Sequence, residues 1–119
     1  MNNNYATDEY ILDMFDGWFD PCPLDKNPKI DGLQIEWKDK TFVNPPYSEP
    51  LRWVRKAIKE NMDRKLIVML LRMDTSTRWF KELQEAGAKF LWFSGRLQFN
   101  TGKSANFPSM LVVLTKRFK

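Results

Sequence analysis

Apolar positions in the second half of the chain follow two different periods. Residues 49–62 carry apolar side chains every three or four positions and basic side chains on the opposite face, which predicts an amphipathic helix. Residues 66–71 form an uninterrupted apolar run, typical of a strand that is covered on both faces. Residues 76–86 predict a second helix that ends at Gly87, and residues 90–93 predict another buried strand.

Prolines make the first half of the chain less regular, and they stand at positions 21, 23, 28, 45, 46 and 50. Residues 8–16 predict a short helix with Thr7 as its N-cap. Two short apolar runs follow, at residues 18–19 and 41–43, and each stops at a segment that contains two prolines. These segments are Asp20-Pro21-Cys22-Pro23 and Asn44-Pro45-Pro46-Tyr47.

The order of these elements predicts the fold class. Strands that alternate with helices indicate an α/β fold with a mostly parallel sheet, and residues 95–99 and 109–115 predict a C-terminal antiparallel hairpin. We expect a single domain over residues 1–119. In parallel sheets ligands bind at the carboxyl ends of the strands. Three loops that follow strands are therefore expected to line one crevice: residues 20–23, 44–47 and 72–74.

The amino-acid composition excludes several catalytic mechanisms and metal sites. The 119 residues include no histidine, which excludes a Ser-His-Asp triad, a Cys-His pair and nearly every catalytic zinc site. Cys22 is the single cysteine, so we expect no internal disulfide and no metal cluster. The net charge of +4 and the pI of about 9.3 favour an anionic partner. Because no apolar run reaches about 18 residues, we expect no membrane span and a cytoplasmic location.

The bulky and basic side chains have structural interpretations. Trp53, Trp79 and Trp92 are expected to pack in the core. The basic face of residues 52–59 is expected to be solvated, although such a face can also follow the phosphates of a nucleic acid.

The segment Asn44-Pro45-Pro46-Tyr47 is the sharpest chemical feature. Two consecutive prolines remove two backbone donors and fix φ, so their carbonyls are expected to lack a local partner. Asn44 adds a side-chain oxygen and Tyr47 adds a flat ring. This set suits a planar group with an NH2, because two acceptors on its protons favour a pyramidal nitrogen that can attack an electrophile. The alternative is a stiff loop without a chemical role.

The segment resembles the catalytic motif of amino-methyltransferases that use S-adenosylmethionine. The order of motifs along the chain resembles the phage and archaeal-virus type of DNA adenine methyltransferase. These motifs include Thr7, Asp20-Pro21-Cys22, Asp31-Gly32-Leu33 with Trp37, Asn44 to Ser48, Thr75-Ser76-Thr77, Gly95-Arg96-Leu97-Gln98-Phe99 and Phe107-Pro108-Ser109.

The resemblance implies a minimal Rossmann-like fold that methylates the exocyclic amine of adenine in DNA, in the host cytoplasm if the chain is viral. It implies a catalytic segment of Asn44, Pro45, Pro46 and Tyr47. It implies an S-adenosylmethionine site of Thr7, Asp20, Pro21, Cys22 and Asn44. It also implies DNA contacts from Tyr47, Ser48, Arg96 and Lys103, with Tyr47 stacked on a flipped base.

Several alternatives stay open. One alternative is a protein-glutamine methyltransferase, because the amide nitrogen of glutamine also has a delocalised lone pair and is a weak nucleophile. Another is an enzyme that methylates adenine in RNA. A degenerate methyltransferase fold that only binds nucleic acid is a third reading. The glycine-rich cofactor fingerprint is absent, and no separate target-recognition domain fits into 119 residues. Sequence recognition would then come from short loops, from a partner or from a second subunit of a homodimer.

Overall fold

The computed structural model describes residues 9–23, 31–46, 48–93 and 108–116. The helices and strands, in chain order, are α1 (Glu9–Met14), β1 (Lys40–Val43), α2 (Pro50–Asn61), β2 (Leu66–Arg72), α3 (Arg78–Glu85), β3 (Lys89–Trp92) and β4 (Ser109–Leu114). Within these ranges, none of the helices has the length and apolar character that crossing a membrane requires.

The four strands form one sheet in the order β1-β2-β4-β3. β1 and β2 are parallel, with Val43 beside Met69, whereas β4 is antiparallel to both β2 and β3. The α/β class is confirmed, but the mostly parallel sheet is wrong, because β4 is inserted between β2 and β3. β4 carries apolar side chains on both of its faces, including Leu111 and Val112, which are buried. A strand of this kind is stabilised at the centre of a sheet that is covered on both sides. The predicted hairpin partner, residues 95–99, lies outside the described residues.

β3 differs from the prediction of a buried strand. Among the described strands it pairs with β4 alone, and Leu91 and Trp92 are each 54% exposed. The expected core position of Trp92 is therefore wrong, while Trp53 and Trp79 are buried as predicted. An apolar run alone does not distinguish an edge strand from a central one.

Side chains of the sheet alternate between two apolar layers. On one face Val43, Met69 and Val112 pack with the buried sides of α2 and α3. On the other face Phe42 and Leu111 pack with α1. Helices thus cover both faces of the sheet, and the edges where strands end stay available to loops.

The basic face of α2 is partly paired with carboxylates. Arg55 contacts Glu82 of α3 through two hydrogen bonds of 3.0 and 2.9 Å, and Arg52 contacts Glu49 at 2.7 Å. Arg52 and Arg55 are exposed as predicted, and Arg55 also joins α2 to α3, whereas the side chain of Lys56 is only 13% exposed and contacts Glu60.

A buried charge cluster holds the segment before β1 against α2 and β2. Glu60 is 6% exposed, and its carboxylate accepts hydrogen bonds from Lys65 Nζ (2.6 Å), Lys56 Nζ (2.7 Å) and the backbone N–H of Trp37 (3.0 Å). Burial alone would raise the pKa of Glu60, but these hydrogen bonds outweigh it and lower the pKa to about 2. The cluster stabilises the fold while this carboxylate is ionised.

Replacing Glu60 with glutamine is expected to lower the free energy of unfolding at pH 7 by about 3 kcal/mol, because the buried Lys65 would keep only the exposed carboxylate of Glu36, 3.4 Å away, as a counter-charge. The native pKa lies below the ordinary value of 4.5, so this stabilisation is complete above about pH 4.5 and is lost as pH falls toward 2. Urea unfolding at several pH values measures it. Glu82→Gln, which breaks the exposed pair with Arg55, is the control and should cost less than about 1 kcal/mol. Equal effects of the two variants would contradict the prediction.

Candidate active site

A short parallel bridge extends the sheet beyond β1. Phe19 pairs with Thr41 in parallel, because its N–H donates to the Lys40 carbonyl (3.0 Å) and its carbonyl accepts from the Phe42 N–H (2.9 Å). The segment that contains Phe19 therefore runs beside β1 in the same direction. The chain that follows, residues 20–22, leaves the sheet at the edge where β1 ends. We call these residues the Asp-Pro-Cys loop and this side of the sheet the carboxyl edge.

Two further loops leave the sheet at the carboxyl edge. Residues 44–46, the Asn-Pro-Pro segment, follow β1, and residues 72–74 end β2, which is parallel to β1. Pro108, just before β4, joins them because its carbonyl accepts from the Met73 N–H (2.7 Å). The strand pairing therefore places all three loops at one edge of the sheet.

The Asn-Pro-Pro segment is held by the turn that leads into α2. Pro45 is buried, and Asn44 and Pro46 are half-buried. The Pro46 carbonyl accepts from the Glu49 N–H (3.3 Å), so the expectation that both proline carbonyls lack a local partner is wrong for Pro46. No described residue donates a hydrogen bond to the Pro45 carbonyl. Pro50 then opens α2 at a position where a missing N–H has no cost.

A small cleft lies between the Asn-Pro-Pro segment, the end of β2 and α3. Its described lining consists of Pro45, Pro46, Pro50, Leu70, Leu71, Arg72 and Trp79. Arg72 is the only charged residue among them. The prediction that all three loops line one crevice is wrong for this cleft, because its described lining includes no residue of the Asp-Pro-Cys loop.

The Asp-Pro-Cys loop presents a carboxylate at the carboxyl edge. The backbone N–H of Cys22 donates to Asp20 Oδ1 (2.9 Å) and closes a tight turn. Desolvation by the surrounding protein raises the pKa of Asp20, and the hydrogen bond from Cys22 opposes this only in part. A raised pKa means that ionisation is costly at this position. A cationic ligand beside Asp20 would offset that cost.

A glycine anchors the Asp-Pro-Cys loop to the body of the protein. Gly32 is buried, and a Cβ atom there would overlap the Pro21 carbonyl and lie 2.8 Å from Trp53 Cη2. Trp37 Nε1 donates to the Gly32 carbonyl (2.7 Å), and the Trp37 and Trp53 rings stack with their centroids 6.3 Å apart. Trp53 lies in the first turn of α2, the helix that follows the Asn-Pro-Pro segment along the chain. The Asp-Pro-Cys loop is therefore connected to the start of α2 through three residues: Gly32, Trp37 and Trp53.

The structure brings together six of the predicted site residues at the carboxyl edge: Asp20, Pro21, Cys22, Asn44, Pro45 and Pro46. Ser48 is exposed in the turn before α2. The other predicted site residues lie outside the described residues, and these are Thr7, Tyr47, Arg96 and Lys103. Among the described residues, no three acidic or thiol side chains converge as metal ligands.

Sequence reasoning missed Gly32 as an anchor and Arg72 as a lining residue of the cleft. The sequence offered Asp31-Gly32 as a turn and as part of a motif of the resemblance, and the Asp31 side chain does accept from the Leu33 N–H (2.9 Å). Neither role has a local signal in the sequence, because each depends on a segment that is distant along the chain.

Comparison with known proteins gives consistent matches. A family model described as DNA N-6-adenine-methyltransferase (Dam) matches residues 4–119. A protein of Haemophilus phage HP1 (strain HP1c1), named DNA N-6-adenine-methyltransferase, is 32% identical over 127 residues, which covers 92% of this chain and 72% of that protein. A protein of Escherichia phage T1 with the same name is 36% identical over 78 residues, 53% of this chain and 33% of that protein. No solved structure matches the chain significantly.

Proposed function

This chain belongs to the DNA N-6-adenine-methyltransferase family, and on that premise we propose that it methylates the exocyclic amine of adenine in DNA with S-adenosylmethionine as the donor. The observation that carries the proposal is the carboxyl edge, where the Asn-Pro-Pro segment and the Asp-Pro-Cys loop leave adjacent parallel segments of the sheet. One loop offers hydrogen-bond acceptors and the other offers a carboxylate.

The Asn-Pro-Pro segment holds the adenine amine. The side-chain oxygen of Asn44 and the carbonyl of Pro45 accept the two N–H groups, and no described residue competes for the Pro45 oxygen. The lone pair of an aryl amine is delocalised into the ring, so two acceptors that favour a pyramidal nitrogen raise its nucleophilicity. The methylated nitrogen then gives one proton to water, because neither an amide nor a backbone carbonyl is a base at neutral pH.

The base reaches this segment only after it leaves the DNA stack. Tyr47, directly after the Asn-Pro-Pro segment, supplies a ring for the flipped adenine to stack on. Ser48 follows Tyr47 in the chain, and its exposed side chain would contact the DNA. The hydrogen bond from the Glu49 N–H to the Pro46 carbonyl keeps this turn closed. This contact restrains Pro46 before the substrate arrives, which lowers the entropy lost on binding.

The residues of the Asp-Pro-Cys loop fit S-adenosylmethionine. The carboxylate of Asp20 is exposed to ligands, and desolvation by the surrounding protein raises its pKa, so it is suited to one of the two positive charges of this molecule. Pro21 and Cys22 would form the adjoining wall, with Thr7 and Asn44 as further contacts. When bound, S-adenosylmethionine supplies a methyl group on a sulfonium sulfur, which retains the electron pair of the broken carbon–sulfur bond.

Replacing Asp20 with asparagine is expected to weaken S-adenosylmethionine binding by about tenfold, because the variant keeps the turn but loses the charge. Calorimetry measures the binding constant, and DNA affinity should change by less than about twofold. Asp39→Asn, which removes an exposed carboxylate at the opposite edge of the sheet, is the control. If both variants bind the donor equally well, Asp20 does not hold it.

The function itself is tested by nucleoside analysis. DNA is incubated with the protein and S-adenosylmethionine, digested to nucleosides and analysed by mass spectrometry. We expect N6-methyldeoxyadenosine among the products. If only glutamine in a protein substrate is methylated, or only adenine in RNA, then protein or RNA is the substrate and not DNA. If calorimetry detects no binding of S-adenosylmethionine, the chain is a nucleic-acid-binding module and the enzymatic proposal fails.

A further inference from the structure

Arg72 occupies an unusual position for a charged residue. It ends β2 at the carboxyl edge and is the only charged residue in the described lining of the cleft beside the Asn-Pro-Pro segment. Apolar and proline side chains supply the rest of that lining. A charge with such neighbours acts in a lower effective dielectric than one in open water, so its attraction to an anion is stronger.

The backbone around Arg72 fixes where its side chain starts. Arg72 pairs with Ser109 in the antiparallel ladder of β2 and β4, and the next N–H, of Met73, donates to the Pro108 carbonyl (2.7 Å). The backbone at Arg72 is therefore held by two consecutive contacts with β4 and the residue before it. The guanidinium of Arg72 nevertheless remains accessible, since the side chain is 47% exposed.

The internal partner of Arg72 leaves it available for a ligand. Arg72 Nη2 lies 3.4 Å from Asp74 Oδ2, and both side chains are partly exposed. Ion pairs of this kind contribute little to stability. The other oxygen of Asp74 accepts shorter hydrogen bonds from the N–H (3.1 Å) and the hydroxyl (2.6 Å) of Ser76. Asp74 is thus held by Ser76 and restrains Arg72 beside the cleft without neutralising it fully.

We infer that Arg72 binds a backbone phosphate of the DNA strand that carries the target adenine. This inference rests on the proposed function. An adenine held by the Asn-Pro-Pro segment brings with it the phosphates on either side of its deoxyribose, and Arg72 is the cation of the cleft lining beside that segment. A guanidinium can form two parallel hydrogen bonds with a phosphate. Arg72 would position the flipped nucleotide and contribute no sequence preference.

The alternative anion at this edge is the carboxylate of the methyl donor. That donor also carries two positive charges, one of them on sulfur, which disfavour a site next to an arginine. The carboxylate suited to those charges belongs to the Asp-Pro-Cys loop, which does not contribute to the described lining of this cleft. The charges therefore favour the DNA phosphate over the donor as the ligand of Arg72.

The test compares three variants in DNA-binding titrations over a range of salt concentrations. Arg72→Ala is expected to weaken duplex binding about fivefold to twentyfold and to reduce the slope of log Kd against log salt by about one. Arg72→Lys should lie between this variant and the wild type. Asp74→Asn keeps an acceptor for Ser76 but removes the counter-charge, so it should tighten binding by about twofold. Calorimetry should show unchanged affinity for S-adenosylmethionine in all three.

Lys59→Ala is the matched control, because Lys59 is an exposed cation in the last turn of α2, away from the carboxyl edge. Its salt slope should equal that of the wild type. An unchanged slope in Arg72→Ala, with wild-type protein that methylates DNA, would overturn the inference and leave the proposed function standing. Weaker S-adenosylmethionine binding with unchanged DNA binding would assign Arg72 to the donor instead. Wild-type protein that neither binds nor methylates DNA would refute the proposed function itself.

Discussion

Asn44→Ala is expected to reduce the rate of methyl transfer by about 100- to 1000-fold, while S-adenosylmethionine binds within about threefold of its wild-type affinity. This range is typical for removing one preorganised hydrogen-bond partner of a reacting group. The variant loses the side-chain acceptor for the adenine amine, and the Pro45 carbonyl remains. A single acceptor no longer favours a pyramidal nitrogen, so the loss falls on the chemical step. Single-turnover methylation of a DNA duplex measures it.

Asn44→Asp is the matched variant, because it has nearly the same shape and keeps an acceptor oxygen. We expect it to retain more activity than Asn44→Ala. Thermal unfolding of both variants checks the fold, since Asn44 is half-buried and makes contacts within the protein. If the alanine variant loses donor binding and methyl transfer to the same extent, Asn44 has a structural role and the proposed chemistry is wrong.

Gly32→Ala is expected to raise the KM for S-adenosylmethionine more than about tenfold and to lower the free energy of unfolding by about 1–3 kcal/mol, as overpacking of a full site does. The added methyl group would overlap the Pro21 carbonyl and press on the Trp53 ring. Neither neighbour can easily yield, because one is backbone and the other is a buried ring. The Asp-Pro-Cys loop must therefore move, and the carboxylate of Asp20 moves with it.

The matched control is Gly87→Ala, at the end of α3. Gly87 has a φ of 82° and nothing within 4 Å of an added Cβ, so alanine there costs about 1 kcal/mol of backbone strain without steric overlap. Both variants should lose stability, but only Gly32→Ala should change the KM for the donor. Trp37→Phe, which removes the hydrogen bond to the Gly32 carbonyl and keeps an aromatic ring, should raise that KM by about threefold. If Gly87→Ala raises it equally, the effect reflects general destabilisation.

Much of the local structure follows from the sequence. The predicted helix at residues 49–62 is observed as Pro50–Asn61, and the predicted strand at residues 66–71 is observed as Leu66–Arg72. Both predictions depend on apolar spacing within a single segment. The position of β4 could not be obtained in this way, because an apolar run indicates burial and does not indicate which strands lie on either side.

The candidate site likewise has a part that could be predicted from a single segment and a part that could not. The motif around Asn44 and Asp20 is contiguous in the chain, so the chemistry of its side chains could be interpreted before the fold was known. Arg72 lies in none of the motifs, and the motif Asp31-Gly32-Leu33 does not indicate what Gly32 contacts. Gly32 matters because it touches Pro21 and Trp53, and Arg72 matters because it lines the same cleft as Pro45 and Pro46. These roles depend on contacts between segments that only the folded chain brings together.

The central place of β4 has a consequence for synthesis on the ribosome. Among the described strands β4 is the last along the chain and therefore the last to leave the exit tunnel, yet it supplies the hydrogen bonds that join β2 to β3. Until then the nascent protein carries β2 and β3 without the strand that joins them, and unpaired strands invite aggregation. A premature stop codon upstream of Ser109 would therefore split the sheet, and we expect its product to be removed by proteases rather than to accumulate as a smaller domain.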